Sequence, residues 1–116
     1  MNTPRIESYS FGEILIDGQV YDQDVIILPD RVLRGWWRKQ GHLLQPDDLD
    51  AVFEAAPDLL VVGQGAYGRM QVASGTRRAL QAAGIELLAF RTEEACRTYN
   101  VQRELETVAA ALHLTC

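Results

Sequence analysis

The sequence predicts an α/β domain: a compact three-layer arrangement with helices on the faces of a mixed β-sheet and a β-hairpin region at the N-terminus. Three observations lead there. Short β-branched runs fill the first forty residues, two uninterrupted apolar runs come later, and stretches with helical spacing separate them. The 116 residues fit a single domain, 1–116, able to bury roughly two-thirds of its unfolded surface without metal or disulfide staples.

Taken in order, Ile14–Ile16, Asp17-Gly18 and Gln19–Tyr21 read as a hairpin, because Asp-Gly supplies the positive φ angles of a type I′ turn. Val25–Leu28 is a β-branched strand ended by Pro29, and Val32–Arg38 is a second strand with Gly35 as a bulge. Pro46, Asp47 and Asp48 suit a helix start, and Leu49, Val52, Phe53 and Ala56 then mark one helical face up to Pro57. Leu59–Val62 is apolar without alternation, the pattern of a strand covered on both faces. Ser74 is expected to cap a second helix that ends at Gly84, and Ile85–Phe90 is the next buried strand. A helix joins these two strands, so they should lie parallel. Thr92, Glu93 and Glu94 open a third helix, predicted to continue through a core-facing stripe of Val101, Leu105, Val108 and Leu112. On that reading His113 sits in the last helical turn and Tyr99 faces away from the core.

A net charge of −5 argues against nucleic acid and acidic membrane surfaces as partners. Two cysteines, Cys96 and Cys116, make no disulfide framework, and the N-terminal stretch has no signal-like apolar segment. A cytoplasmic setting is the expectation. The two histidines, His42 and His113, have no recognisable base–nucleophile pattern around them, and no His or Cys pair has metal-ligand spacing. Hence no catalytic residue, metal or cofactor is assigned.

The stretch Asp58–Met70, DLLVVGQGAYGRM, holds Gly63, Gly65 and Gly68 as G-x-G-x-x-G straight after a strand. A dinucleotide loop should run directly into a helix whose N–H groups hold the pyrophosphate, with an acidic residue at the end of the next strand. Here the helix cap is late, at Ser74, and the strand end is Phe90-Arg91. A third parallel strand is also missing if only a helix follows Phe90. The expectation is therefore not a true Rossmann fold. The glycines are instead expected to permit a sharp exit from the strand, leaving room there for a ligand smaller than a dinucleotide.

The segment Ala95–Asn100, ACRTYN, followed by VQRELETVAAAL, resembles the C-terminal signature of the small Mth-domain family. VIILP at 25–29, Trp36-Trp37, His42, Gly63-Gln64-Gly65 and Gly84-Ile85 match as well. Its bacterial and archaeal members are mostly uncharacterised. Animal relatives include the adipogenesis-associated Mth-domain protein and a mitochondrial complex I assembly factor. The resemblance implies a compact three-layer α/β domain and brings no catalytic mechanism. The sequence departs from the family pattern in lacking prolines after the glycines and in carrying Leu88 where a glutamate is common.

Two functional readings follow. The first is a noncatalytic protein-binding or assembly-type module. Its contact residues would be Arg34, Trp36 and Arg38, which share a face if their segment is a strand. The second is a small-molecule or anion-binding domain, or a minor enzyme, with a pocket at the exit of the Leu59–Val62 strand. Its candidate residues are Gly63, Gln64, Gly65, Tyr67, Arg69 and Asn100. Glycine N–H groups and the Arg69 guanidinium suit an anion there. Asn100, a poor helix former, is expected to serve first as a structural amide.

Overall fold

The computed structural model describes residues 3–116. In chain order it has β1 (Ile6–Ser10), β2 (Glu13–Ile16), β3 (Gln19–Tyr21), β4 (Val25–Leu28), β5 (Arg31–Arg34) and β6 (Leu43–Leu44). A 3₁₀ turn over Pro46–Leu49 leads into α1 (Asp50–Ala55). Then come β7 (Leu59–Gln64), β8 (Gln71–Val72), α2 (Ser74–Ala82), β9 (Glu86–Phe90), α3 (Thr92–Gln102) and β10 (Val108–His113).

The centre is a five-stranded mixed sheet in the order β5-β4-β10-β7-β9. β10 lies parallel to β7, with Val108 opposite Leu59 and His113 opposite Gln64, and antiparallel to β4. β9 is parallel to β7, as the helix between them requires. One face of the sheet, with Val25, Ile27, Leu59, Val61, Val108, Ala110 and Leu112, packs on α3 and on β1–β2 of a separate three-stranded sheet β1-β2-β3. The other, with Ile26, Leu28, Leu60, Val62, Ala109 and Ala111, packs on α1 and α2 through Val52 and Leu80. The β2–β3 hairpin turns at Asp17-Gly18, both with positive φ, as predicted. A small parallel pair, β6 with β8, adds a feature that the sequence reading lacks.

Five expectations are corrected. The third helix stops at Gln102, and the segment read as its continuation is β10, the central strand. Alanine-rich Val108–Leu112 has helical spacing, but it fills a slot covered on both sides, where every residue is at most 1% exposed. Tertiary burial overrides propensity at such a position. In consequence Val101 and Leu105 are exposed, and α3 buries Thr92, Ala95, Cys96 and Tyr99 instead. His113 is a buried strand residue. The strand predicted over Val32–Arg38 ends at Arg34, because Gly35 takes φ +69° and turns the chain so that Trp36 N–H donates to Asp24 O. Ser74 begins α2 without capping it, and the Thr76 hydroxyl donates to Leu44 O.

Val62 is 0% exposed between β10 and β9, so Val62→Asp strands a charge in an apolar layer. The expected cost is several kcal/mol, read as loss of the cooperative thermal transition. A variant that melts like the parent would contradict this placement.

Candidate functional site

Two neighbouring features converge at the C-terminal ends of the parallel strands. The first is a buried ionic cluster. Asp24, just before β4, accepts from Arg38 Nη1 at 2.9 Å and from His113 Nδ1 at 2.8 Å through Oδ2, and from Leu114 N–H at 2.8 Å through Oδ1. Arg38 also donates to Gly41 O through Nε and Nη2, and its guanidinium stacks 4.6 Å above the Trp36 ring. Burial pushes the Asp24 carboxyl up, but the bonds from His113, Leu114 and Arg38 outweigh it and hold the group below its usual range. His113 Nδ1 thus lies against Asp24 Oδ2 on one side and, at 3.1 Å, Arg38 Nη2 on the other. Nε2 is buried without a hydrogen-bond partner among the described residues, and the His42 ring stands edge-on 5.8 Å away. An Asp–His pair is the orienting half of many catalytic sites. Here the ring's other edge packs against Gly65, where an added Cβ would lie 2.9 Å from His113 Cδ2. Among the described residues no group of three or more His, Cys, Asp or Glu is placed to hold a metal ion.

The second feature is the glycine loop. Gly63 leaves no room for a side chain: a Cβ would come within 2.9 Å of Thr92 Oγ1 and 3.0 Å of Leu112. Gly65 combines φ +99° with a Cβ position 2.8 Å from Cys116 O. Four of the loop's N–H groups are used internally. Gly65 N donates to Thr92 Oγ1, Ala66 N to Thr115 O, Gly68 N to Gly65 O and Met70 N to Gln64 O. Residues 114–116 thus run through the crevice where open α/β sheets commonly hold ligands.

Of the residues put forward for a ligand, Gly63 and Gly65 are packing positions and the Gln64 amide donates to Met70 O. Tyr67 and Arg69 do lie together on the surface, the guanidinium 5.8 Å from the ring centroid. Asn100 is elsewhere: its amide donates to Ile6 O and accepts from Ile6 N–H, acting like a neighbouring strand for β1. The Arg34–Trp36–Arg38 face does not form. Arg34 lies over Tyr21, Trp36 donates from Nε1 to Asp48 O, and Arg38 is buried at 8% exposure. Trp37, 75% exposed, is the outward tryptophan. A groove of about 290 Å³ between β1 and α3 is lined by Tyr9, Cys96, Arg97 and Asn100 among others. Burial pushes the Cys96 thiol up to about 12, so it is no thiolate nucleophile at neutral pH.

Sequence reading missed Asp24 and the bridging roles of Thr92 and His113. Thr92 opens α3 and its buried hydroxyl donates to His113 O while accepting from Gly65 N, joining β7, α3 and β10. The one local signal was a threonine at a helix start whose hydroxyl was free to serve something other than its own helix.

Two predictions follow. Asp24→Asn weakens a buried charge cluster and should cost about 3–5 kcal/mol at neutral pH, measured by denaturant unfolding. Because the folded state lowers the Asp24 pKa, its contribution is complete above the usual aspartate range and is lost as pH falls through the folded value. The variant should therefore show a flatter acid limb of stability against pH; an acid limb identical to the parent's would refute this role. Thr92→Val keeps the shape but strands Gly65 N–H and His113 C=O, at about 1–3 kcal/mol for each buried group left unpaired. Chemical denaturation should register that loss, and a shift below 0.5 kcal/mol would show the bridge to be dispensable.

The comparisons with known proteins agree with this architecture. A conserved hypothetical protein of Pyrococcus horikoshii OT3 has a TM-score of 0.80 at 27% identity, covering 97% of this chain and 99% of that one. The Rpa2829 protein of Rhodopseudomonas palustris gives 0.75 at 30% identity over 97% and 87%. A Mth938-like domain of Bordetella pertussis gives 0.70 at 22% identity over 96% and 85%, a likeness of fold. A CinA-like protein of Citrifermentans bemidjiense is 31% identical over 88 residues, which are 72% of this chain. The match spans only 21% of that relative's length. The DUF498/DUF598 model, a protein family of unknown function, matches residues 6–113, and with Mth938-like domains sharing its fold the chain belongs to that family.

Proposed function

We propose that this domain is a noncatalytic protein-binding module that uses the rim above the glycine loop. The supporting observation is a contrast. The crevice at the strand ends is filled by residues 114–116, while beside it Phe11 and Tyr67 stand 57% and 59% exposed with their rings 6.1 Å apart. Gly12 N–H donates to Leu114 O, which holds the Phe11 turn next to the filled crevice. Arg69 lies over Tyr67, and Arg91 reaches the same loop near Gly68. Exposed aromatics among guanidinium groups suit an apolar or acidic segment of a partner protein. A complex I assembly role belongs to mitochondrial relatives, and likeness of fold does not carry it to this chain.

A small-molecule role is favoured by one observation, the groove of about 290 Å³ between β1 and α3. It is at the small end for a ligand site, and none of residues 63–69 lines it.

The test pairs partner capture with amide chemical-shift mapping. Proteins retained by the immobilised domain should be lost with Phe11→Ala/Tyr67→Ala, while the melting behaviour changes little. Phosphate, sulfate and NAD should give no saturable micromolar shifts at 63–69, whose N–H groups are mostly occupied. Unchanged capture by the double variant, or a saturable site at the loop or the groove, would move the function to a small ligand.

A further inference from the structure

We infer that the rim above the glycine loop takes the Glu104-Leu105-Glu106 turn of a second copy, so that copies of this chain join head to tail. The inference rests on the rim being a recognition surface and names its occupant. On the rim, Arg69 lies over the exposed Tyr67 ring, Phe11 stands beside that ring, and Arg91 reaches Gly68. Both guanidinium groups are exposed, and neither has an ion-pair partner among the described residues. A complementary occupant therefore carries a large apolar side chain between two carboxylates.

The chain itself holds such a segment. Among the described residues, the exposed large apolar side chains apart from the rim rings are Val20, Trp37, Val101 and Leu105. Val20 stands between Gln19 and Tyr21, Val101 between Asn100 and Gln102, and Trp37 between Trp36 and Arg38. Leu105 alone has an acid on each side, and it is the most exposed aliphatic of the group at 72%. Glu106 has no ion-pair partner among the described residues, and Glu104 keeps its side chain 70% exposed while it accepts from Arg103 Nη1. Topology makes the contact one between copies. Tyr67, Arg69 and Arg91 follow the C-terminal ends of the parallel strands β7 and β9. Residues 104–106 precede β10, whose first residue pairs with the first residue of β7. They therefore lie at the other end of the sheet, about 20 Å away along β7. Two different patches at opposite ends make a heterologous contact, the type that extends into chains or rings. The patches are small and charged, so association should be weak, concentration-dependent and reduced by salt.

Sedimentation over roughly 1 μM to 1 mM should show the mass rising from 13.0 kDa. Leu105→Lys sets a cation against the rim, and Arg69→Ala/Arg91→Ala removes the rim's cations. Each variant should associate at least about tenfold more weakly than the parent. All three positions are exposed, so both variants should melt like the parent. Mixed in equal amounts, at a concentration where each alone is monomeric, the two should form a 1:1 complex that grows no further. In that complex the intact rim of the Leu105→Lys chain meets the intact turn of the other. A parent that is monomeric at every concentration, variants that associate like the parent, or a mixture that stays monomeric would each overturn the inference. If capture of other proteins is then still lost with Phe11→Ala/Tyr67→Ala, the rim remains a recognition surface with a different occupant. Capture retained by that double variant would remove the rim reading as well.

Discussion

The whole domain hangs on inserting β10 between β4 and β7. That strand joins a parallel set, β9-β7-β10, to an antiparallel hairpin, β4–β5, and without it the sheet falls into two pieces. The slot is narrow in chemical terms. It needs hydrogen bonds on both edges and small side chains on both faces, and Ala109, Ala110 and Ala111 meet that need with no exposed surface. Three polar ties hold the strand's end. The Thr92 hydroxyl accepts from Gly65 N–H, just past β7, and donates to His113 O, the Asp24 carboxylate takes Leu114 N–H, and the same carboxylate holds the His113 ring. A strand that arrives last in the chain yet sits at the centre makes the fold rich in distant contacts, a topology associated with slower folding.

The polar cluster follows from that insertion. Seating β10 buries an imidazole beside Asp24, and one carboxylate there receives three donors. Arg38 balances its charge and carries the chain from Trp36 to Gly41 over the top. All three bonds to that carboxylate come from the chain itself, two of them from β10 and the residue after it. That is why an Asp–His pair, suggestive in isolation, reads here as the fastening of a strand end. His113 Nε2 remains the one buried side-chain nitrogen or oxygen without a partner among the described residues, pressed between Gly65 and the edge of His42.

The fold was legible in the sequence wherever local chemistry decides structure. Asp17-Gly18 specified its turn, the runs 25–28, 59–62 and 85–90 specified strands, and Pro46 with two aspartates specified a helical start. It failed where tertiary context decides. Val108–Leu112 has the composition of a helix and becomes a strand because the sheet offers an empty slot. Once that segment was read as helix, the helical face was inverted: Val101 and Leu105 were assigned to the core and Tyr99 to the outside, the reverse of their burial. The site suffered for the same reason. Asp24 and His113 stand 89 positions apart, and no spacing rule links them until β10 is placed.

The glycine motif resolves through the same strand. In a dinucleotide loop, glycines let a ligand's phosphates approach the backbone. Here the approaching group is the chain itself. Gly63 makes room for Thr92 and Leu112, and Gly65 for Cys116 and His113, so both glycines face β10, its tail and α3. The absence of a third parallel strand, one of the grounds for setting the nucleotide reading aside, does not stand, since β10 supplies that strand beside β7. What separates this loop from a phosphate cradle is occupancy: Ala66 N–H already donates to Thr115 O and Gly65 N–H to Thr92. With the crevice filled from within, the exposed rings of Phe11 and Tyr67 and the guanidinium of Arg69 stand on its rim.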